Sequence, residues 1–321
     1  MKFLLKRILQ AIPVLLVVSI FAFYLVNVAP GDPALSYRTP DMTDEAYEQI
    51  RDNFGLNDPL YVQYMDWGKN ILTGNWGMSI STQQPVIKMI LQKLPATVGL
   101  MLSSLVFSVC MAVILGVAAG YRKNTWVDRI VNAITYVGMS VPNFWFAILL
   151  VLLFSLNLRM FPSSGMHTNG VDSIFDVIWH GFLPMLAVSI SKVAVYTRYI
   201  RASVIKQLKE DYVMTAVAKG AGERRILFKH VLKNCMLPVI TIVGMNMGSL
   251  VTGSFVIESV FGWPGLGTLC FSAIINRDYP LMMGTTMFSC VLLIAGNLLA
   301  DVTYGLVDPR IKAGGTGNET V

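Results

Sequence analysis

The amino-acid sequence predicts an all-α polytopic membrane protein, with about six transmembrane helices and an extracytoplasmic segment after the first. Three observations carry that prediction: composition, the lengths of the apolar stretches, and the placement of Lys and Arg. The 321 residues are 54% hydrophobic and only 14% charged, with a mean hydropathy of +0.58. A soluble domain of this size carries about 25% charged residues. So much apolar surface with so little charge to cover it calls for lipid as solvent. The net charge of +6 and a pI near 9.1 do not point to nucleic acid, because the basic residues sit between apolar stretches, where they mark topology.

The apolar stretches fall at about 8–29, 96–120, 130–156, 178–197, 237–257 and 282–304. Each is near the ~20 residues that a helix needs to cross the hydrocarbon core. The first follows a basic start (Lys2, Lys6, Arg7) and is too long for the apolar region of a signal peptide, so it reads as a retained helix. The third is interrupted at Ser140-Val141-Pro142-Asn143. Pro142 lacks a backbone donor and clashes with the preceding turn, so a kink, or a division into two short helices, is expected there.

Orientation follows from the basic residues. The N-terminus, the connection holding Arg122, Lys123 and Arg129, the loop after span four, and the C-terminal Arg310 and Lys312 together hold seventeen of the 25 Lys and Arg. Segment 31–95 holds five, against eight Asp and Glu. By the positive-inside rule, both termini and the basic loops face the cytoplasm. The chain thus divides into 1–30 (N-terminal end and first helix), an extracytoplasmic segment 31–95, a five-helix core 96–305 and a tail 306–321. Within 31–95, Thr43 to Phe54 and Tyr61 to Ile71 read as two short amphipathic helices.

Few ionisable residues lie within the spans. Lys192 is placed to snorkel toward the cytoplasmic interface, and Asp301 to cap or pair at the end of span six. No chain of acids crosses the midplane. His167 and His180 show no ligand partner at helical spacing, and the four cysteines form no CxxC pair, so no metal site is expected. Gly116 and Gly120, and Gly244 and Gly248, have the spacing that lets helices approach closely. There is no Walker A loop, no His-Glu-x-x-His and no Gly-x-Ser-x-Gly, so catalysis is not expected of this chain.

The loop 197–236 is the most informative segment. Asp211–Lys219 reads as a short helix with Asp211 as its N-cap; Gly220 and Gly222 stop it because glycine accepts the left-handed conformation. Glu223–Asn234 reads as a second helix. Two helices joined by a glycine turn and rooted in spans four and five make a lever.

The residues of this loop resemble a known signature. Asp211-Tyr212-Val213-x-Thr215-Ala216-x-Ala218-Lys219-Gly220, with His230, Asn234 and Leu237-Pro238 behind it, is similar to the ATPase-docking motif of binding-protein-dependent ABC importer permeases. The variant resembles the dipeptide, oligopeptide and nickel branch. Further matches are Ala29-Pro30-Gly31-Asp32-Pro33, Leu94-Pro95-Ala96-Thr97, Ser140-Val141-Pro142, Glu258-x-x-Phe261-x-Trp263-Pro264-Gly265-Leu266-Gly267, Asp278-Tyr279-Pro280 and Asp308-Pro309-Arg310. They cover nearly all of 1–312, and the Pro-Gly-Asp-Pro entry resembles the B-type subunit. The general motif has Glu-Ala-Ala where this chain has Met214-Thr215-Ala216, and Leu-Pro where it has Leu232-Lys233, so contacts of the missing glutamate do not carry over.

The resemblance implies a type I importer-like permease in a bacterial cytoplasmic membrane. Its implied partners are a second, C-type permease, two ATPase subunits and an extracytoplasmic substrate-binding protein. ATP and Mg would be bound by the ATPases, with no cofactor in this chain. Ala216, Ala218 and Gly220 would be small to let the helix sit in an ATPase cleft, and Lys219, Glu223, Arg224 and Arg225 would form a polar rim, with Asp211, Tyr212 and Thr215 also in the docking segment. Peptide leads as substrate, with nickel, other chelates and small glycosides as alternatives. Ser140, Pro142 and Asn143 in span three, and Asn246, Ser249 and Thr252 in span five, are pore-lining candidates, a role balanced against simple packing. The competing reading is a secondary transporter or channel working without an ATPase; it predicts inverted repeats or buried ionisable residues at the midplane, and the sequence displays neither.

Overall fold

A computed structural model describes residues 2–28, 34, 41–53, 55–171, 173–245 and 255–307. Among them the structure is helical, with a single isolated antiparallel bridge between Met78 and Pro85. Helix α1 spans Lys2–Val28. Segment 31–95 contributes α2 (Asp44–Asn53) and α3 (Leu60–Leu72), matching the two expected amphipathic helices to within a few residues. Helix α3 lies against the outer half of α1: Ser19 Oγ and the Tyr64 hydroxyl are 2.8 Å apart, and Phe23 packs on the rings of Tyr64 and Trp67.

The second span is longer than its apolar run. Helix α4 extends from Val86 to Tyr121, 36 residues, with Pro95 inside it. The expected start at 96 therefore moves outward by ten residues. The cause is local: Pro85 caps the new start, and the Val86 amide is held by the Gly77 carbonyl. Val86 and Ile90 are fully buried with Leu266 and Leu281 in an outer cluster, and that packing carries the helix past the proline.

The third span is two helices, not one. Helix α5 (Trp126–Ser140) ends at Val141, and α6 (Asn143–Leu150), running on as a π-helical stretch Val151–Asn157, leaves at 104°. Pro142 sits at the N-cap of α6, where a missing N–H costs nothing. Helix α7 (Ile174–Gln207) is continuous for 34 residues. It runs parallel to α4, and glycines set their separation. A Cβ on Gly116 would lie 2.7 Å from Ile200 Cβ, and one on Gly120 2.8 Å from Val204 Cβ.

Beyond α7 come α8 (Asp211–Ala218), α9 (Glu223–Arg225), a π-helical stretch Ile226–Val231 and α10 (Leu232–Met245). Then follow α11 (Phe255–Val260), α12 (Leu266–Ile275) and α13 (Tyr279–Val307). Four described helices are long and apolar enough to span, and the bent α5–α6 pair makes five. The expected fifth span, 237–257, includes 246–254, which lie outside the described residues.

Candidate functional site

The basic loop is a closed turn built on the end of α7. Leu208–Glu210 leads into α8, whose N-cap is Glu210 rather than Asp211; Asp211 occupies the first turn, where its charge favours the positive end of the helix dipole. Val213 and Ala216 point inward, 5% and 9% exposed, into a cluster with Val204, Ile226 and Val231. The Tyr212 hydroxyl donates to Gln207 Oε1 at 2.6 Å, tying α8 back to α7.

The helix ends in a Schellman motif. Gly220 takes φ +77° and donates from its amide to the Val217 carbonyl at 2.9 Å, while the Ala221 amide donates to the Ala216 carbonyl at 3.0 Å. Gly222 differs from expectation: its φ is −68° and it is the N-cap of α9, so it starts the next helix instead of ending the last. The second helix also differs. It begins at Glu223 as expected but does not stop at Asn234; it continues through the π-helical stretch into α10. The loop is therefore a bend between two continuous rods. The Tyr121 hydroxyl, at the foot of α4, faces Glu223 and braces the bend from the side.

Of the sequence candidates, Asp211, Thr215, Ala218, Lys219, Gly220, Glu223, Arg224 and Arg225 are exposed, and Tyr212 is half-buried. Ala216 is not available to a partner, because it packs against its own lever. The structure adds residues that were not among the docking candidates: Met214, Val217 and Phe228 are 58%, 57% and 64% exposed. Met214 and Val217 are three apart on α8 and so share a face. Their apolar character at i and i+3 was the available signal.

Of the pore candidates, Ser140, Pro142 and Asn143 are exposed at the α5–α6 break. Ser140 Oγ donates to the Tyr136 carbonyl, and Asn143 Oδ1 accepts from Ser191 Oγ at 2.5 Å. Asn246, Ser249 and Thr252 lie outside the described residues. A cavity of about 480 Å³ beside the break, lined by residues such as Phe107, Met111, Leu115 and Phe146, is almost wholly apolar.

The end of the bundle at which α4 begins gathers three of the quoted motifs into two nodes. In the first, Glu258 is fully buried; its Oε1 accepts from Thr97 Oγ1 (2.8 Å) and its Oε2 from the Gly267 amide (2.6 Å). Trp263 Nε1 donates to the Ala96 carbonyl at 2.9 Å. A Cβ on Gly265 would collide with both Glu258 and Thr97, which is why glycine stands there. In the second, Asp278 caps α13 and accepts from Ser79 Oγ (2.6 Å), Ser81 Oγ (2.8 Å) and the Ser81 amide (3.0 Å). Burial pushes the Asp278 carboxyl up, but the bonds from Ser79 and from the Ser81 and Ile80 backbone outweigh it and hold it below the usual range. His180 does have a partner one turn away, contrary to expectation: its Nε2 lies 3.6 Å from Asp176 Oδ1. No metal-holding cluster occurs among the described residues.

A family model described as binding-protein-dependent transport system inner membrane component matches residues 112–313, and its N-terminal companion matches 1–101. The chain is 40% identical to the oligopeptide transport system permease protein AppB of Bacillus subtilis, over 97% of this chain and 99% of that one. It is 36% identical to the probable peptide ABC transporter permease protein y4tP of Sinorhizobium fredii, over 97% and 99%. A putative peptide permease protein of Brucella suis is 38% identical over the same shares. The chain therefore belongs to the family of binding-protein-dependent transport system inner membrane components, the membrane-spanning permeases of ABC importers.

Proposed function

We propose that this chain carries di- or oligopeptides inward as one of two paired permeases, driven by two ATPase subunits that grip α8. The observation that carries the coupling role is the exposed Met214–Val217 face on a helix whose other face is packed on its own lever. An apolar pair standing out from a basic, solvated loop needs a partner to cover it. The polar residues around it (Asp211, Thr215, Lys219, Glu223, Arg224, Arg225) form a rim, the arrangement in which a few central apolar contacts hold most of the binding energy. Both termini and this loop face the cytoplasm, where the ATPases bind ATP and Mg, and an extracytoplasmic binding protein delivers substrate to the outer face. Peptide as substrate is supported by the names of the relatives.

The test is reconstitution. The complete complex in proteoliposomes should take up labelled peptide only with ATP and the binding protein present. Uptake by this chain alone, with no ATPase, would overturn the reading in favour of a secondary transporter. Met214→Ser with Val217→Ser should leave the chain folded, since surface changes cost within about 0.5 kcal/mol, and should weaken ATPase association about ten-fold or more.

A further inference from the structure

Helix α7 is tied to the broken third span by a ladder of contacts that starts at the coupling loop and ends beyond the break. The lowest rung is an ion pair. Arg201 Nε donates to Asp128 Oδ1 at 2.5 Å and Arg201 Nη2 to Asp128 Oδ2 at 2.8 Å. The remaining acceptor directions of the carboxylate are filled by Asn132 Nδ2 on Oδ1 (2.8 Å) and the Asn124 amide on Oδ2 (2.9 Å). Asp128 is 3% exposed. Higher rungs follow along the antiparallel helices: the Arg198 guanidinium sits 5.3 Å from the centre of the Tyr136 ring, Gly138 lets Ala194 approach, and Ser191 donates to Asn143 just past the break.

Two features distinguish the lowest rung. It lies ten residues before α8, on α7, which ends at Gln207 just before the turn into α8. It is also a two-pronged bond, so it fixes rotation as well as distance between α5 and α7. Removing such charges from water costs nearly as much as their attraction returns, so stability alone is a weak reason to bury them. Fixing one geometry is a better one.

We propose that Arg201 and Asp128 are positioning residues that carry the displacement of α8 into α5 and the break at Ser140–Asn143, and so set how much transport accompanies each ATP hydrolysed. The inference rests on the coupling role given above to α8. Helix α7 is one continuous helix, with Pro184 inside it well before Arg201, whereas α5 and α6 are separate helices that meet at the bend. Without the fork, α5 keeps only the weaker rungs at Tyr136 and Gly138, and less of the motion of α8 reaches the break. A partner shifts a two-state element only through contacts that differ between the states, and this pair is the two-pronged one among the contacts that hold α5 to α7.

The experiment uses the complete reconstituted complex with ATP hydrolysis and peptide uptake measured on the same vesicles. Asp128→Asn keeps shape and loses charge; Arg201→Lys keeps charge and loses the fork. In each, uptake should fall about ten-fold while ATP hydrolysis and recovery of the complex stay within about two-fold, so the ratio of uptake to hydrolysis drops. Arg201→Lys should retain more of the ratio than Asp128→Asn. Parallel loss of uptake, hydrolysis and assembly in both variants would make the pair merely structural and overturn the proposal, as would unchanged uptake. If the wild-type complex transports without ATP, it is the coupling role of α8 that fails, and the ladder loses its input.

Discussion

The Thr97 hydroxyl and the Glu258 carboxylate, 161 residues apart, meet at 2.8 Å in a site from which water is excluded. The same hydroxyl oxygen accepts the Leu266 amide, also at 2.8 Å, so one side chain satisfies both a buried acid and the start of α12. Thr97→Val keeps the shape and removes both functions. It should destabilise the chain by about 1–3 kcal/mol, the cost of leaving buried polar groups unpaired, read as earlier unfolding in detergent. An unchanged unfolding curve would mean that another group replaces the hydroxyl.

Asp278 gives a pH dependence with a definite sign. Its native carboxyl titrates below the value of about 3.9 expected in the unfolded chain. Its stabilisation is therefore complete above that value and is lost as pH falls through the lower native one. Asp278→Asn should be less stable than wild type near neutrality, and the gap should close as pH is lowered below about 4. Unfolding midpoints of the two proteins in detergent between neutral and acid pH check this.

The α4–α7 seam tolerates no side chain at Gly116. Since even a Cβ would lie 2.7 Å from Ile200 Cβ, Gly116→Ala must push the helices apart and should cost about 1–3 kcal/mol. Removing the neighbour's Cβ should recover part of that cost, so Gly116→Ala with Ile200→Gly should lose less than the two single changes summed. A double-mutant cycle on unfolding free energies measures the coupling.

Gly220 is a different kind of glycine. Nothing lies within 4 Å of a Cβ built on it, but its φ of +77° strains any L side chain. Gly220→Val should cost about 1–2 kcal/mol within the loop and leave the bundle intact. Recovery of the ATPases on the purified permease should fall. Normal recovery and normal uptake would count against the role given to α8.

Much of this was legible in the residues. The first, second, fourth and sixth apolar stretches as long helices, and the bend at Pro142, follow from apolar lengths and one ring that cannot donate. The turn at Gly220 was legible for the same reason. Other features depend on packing partners far away in sequence. Nothing local marks Pro95 as a residue that a helix runs straight through; Val86 and Ile90 achieve that by burial against Leu266 and Leu281. Ala216 looked like a docking residue because it is small, yet three-dimensional packing turns it inward. Met214 was noted for the glutamate it replaces, when its exposed apolar side chain is what it offers. Asp128 and Arg201 stand out in neither neighbourhood, because a pair 73 residues apart has no local signature.

The length of α4 has a practical consequence. At 1.5 Å per residue its 36 residues reach about 54 Å, against about 30 Å of hydrocarbon. The first turns of α4 form a post, and α13 leans on it: Gly284 is bare because Val86 fills the space where its side chain would be. The outer segment is thus not a detachable module. A chimaera that exchanges 31–85 with a relative's leaves that post standing, whereas one cut at 95 removes Val86 and Ile90 from beneath Leu281 and should unseat the start of α13.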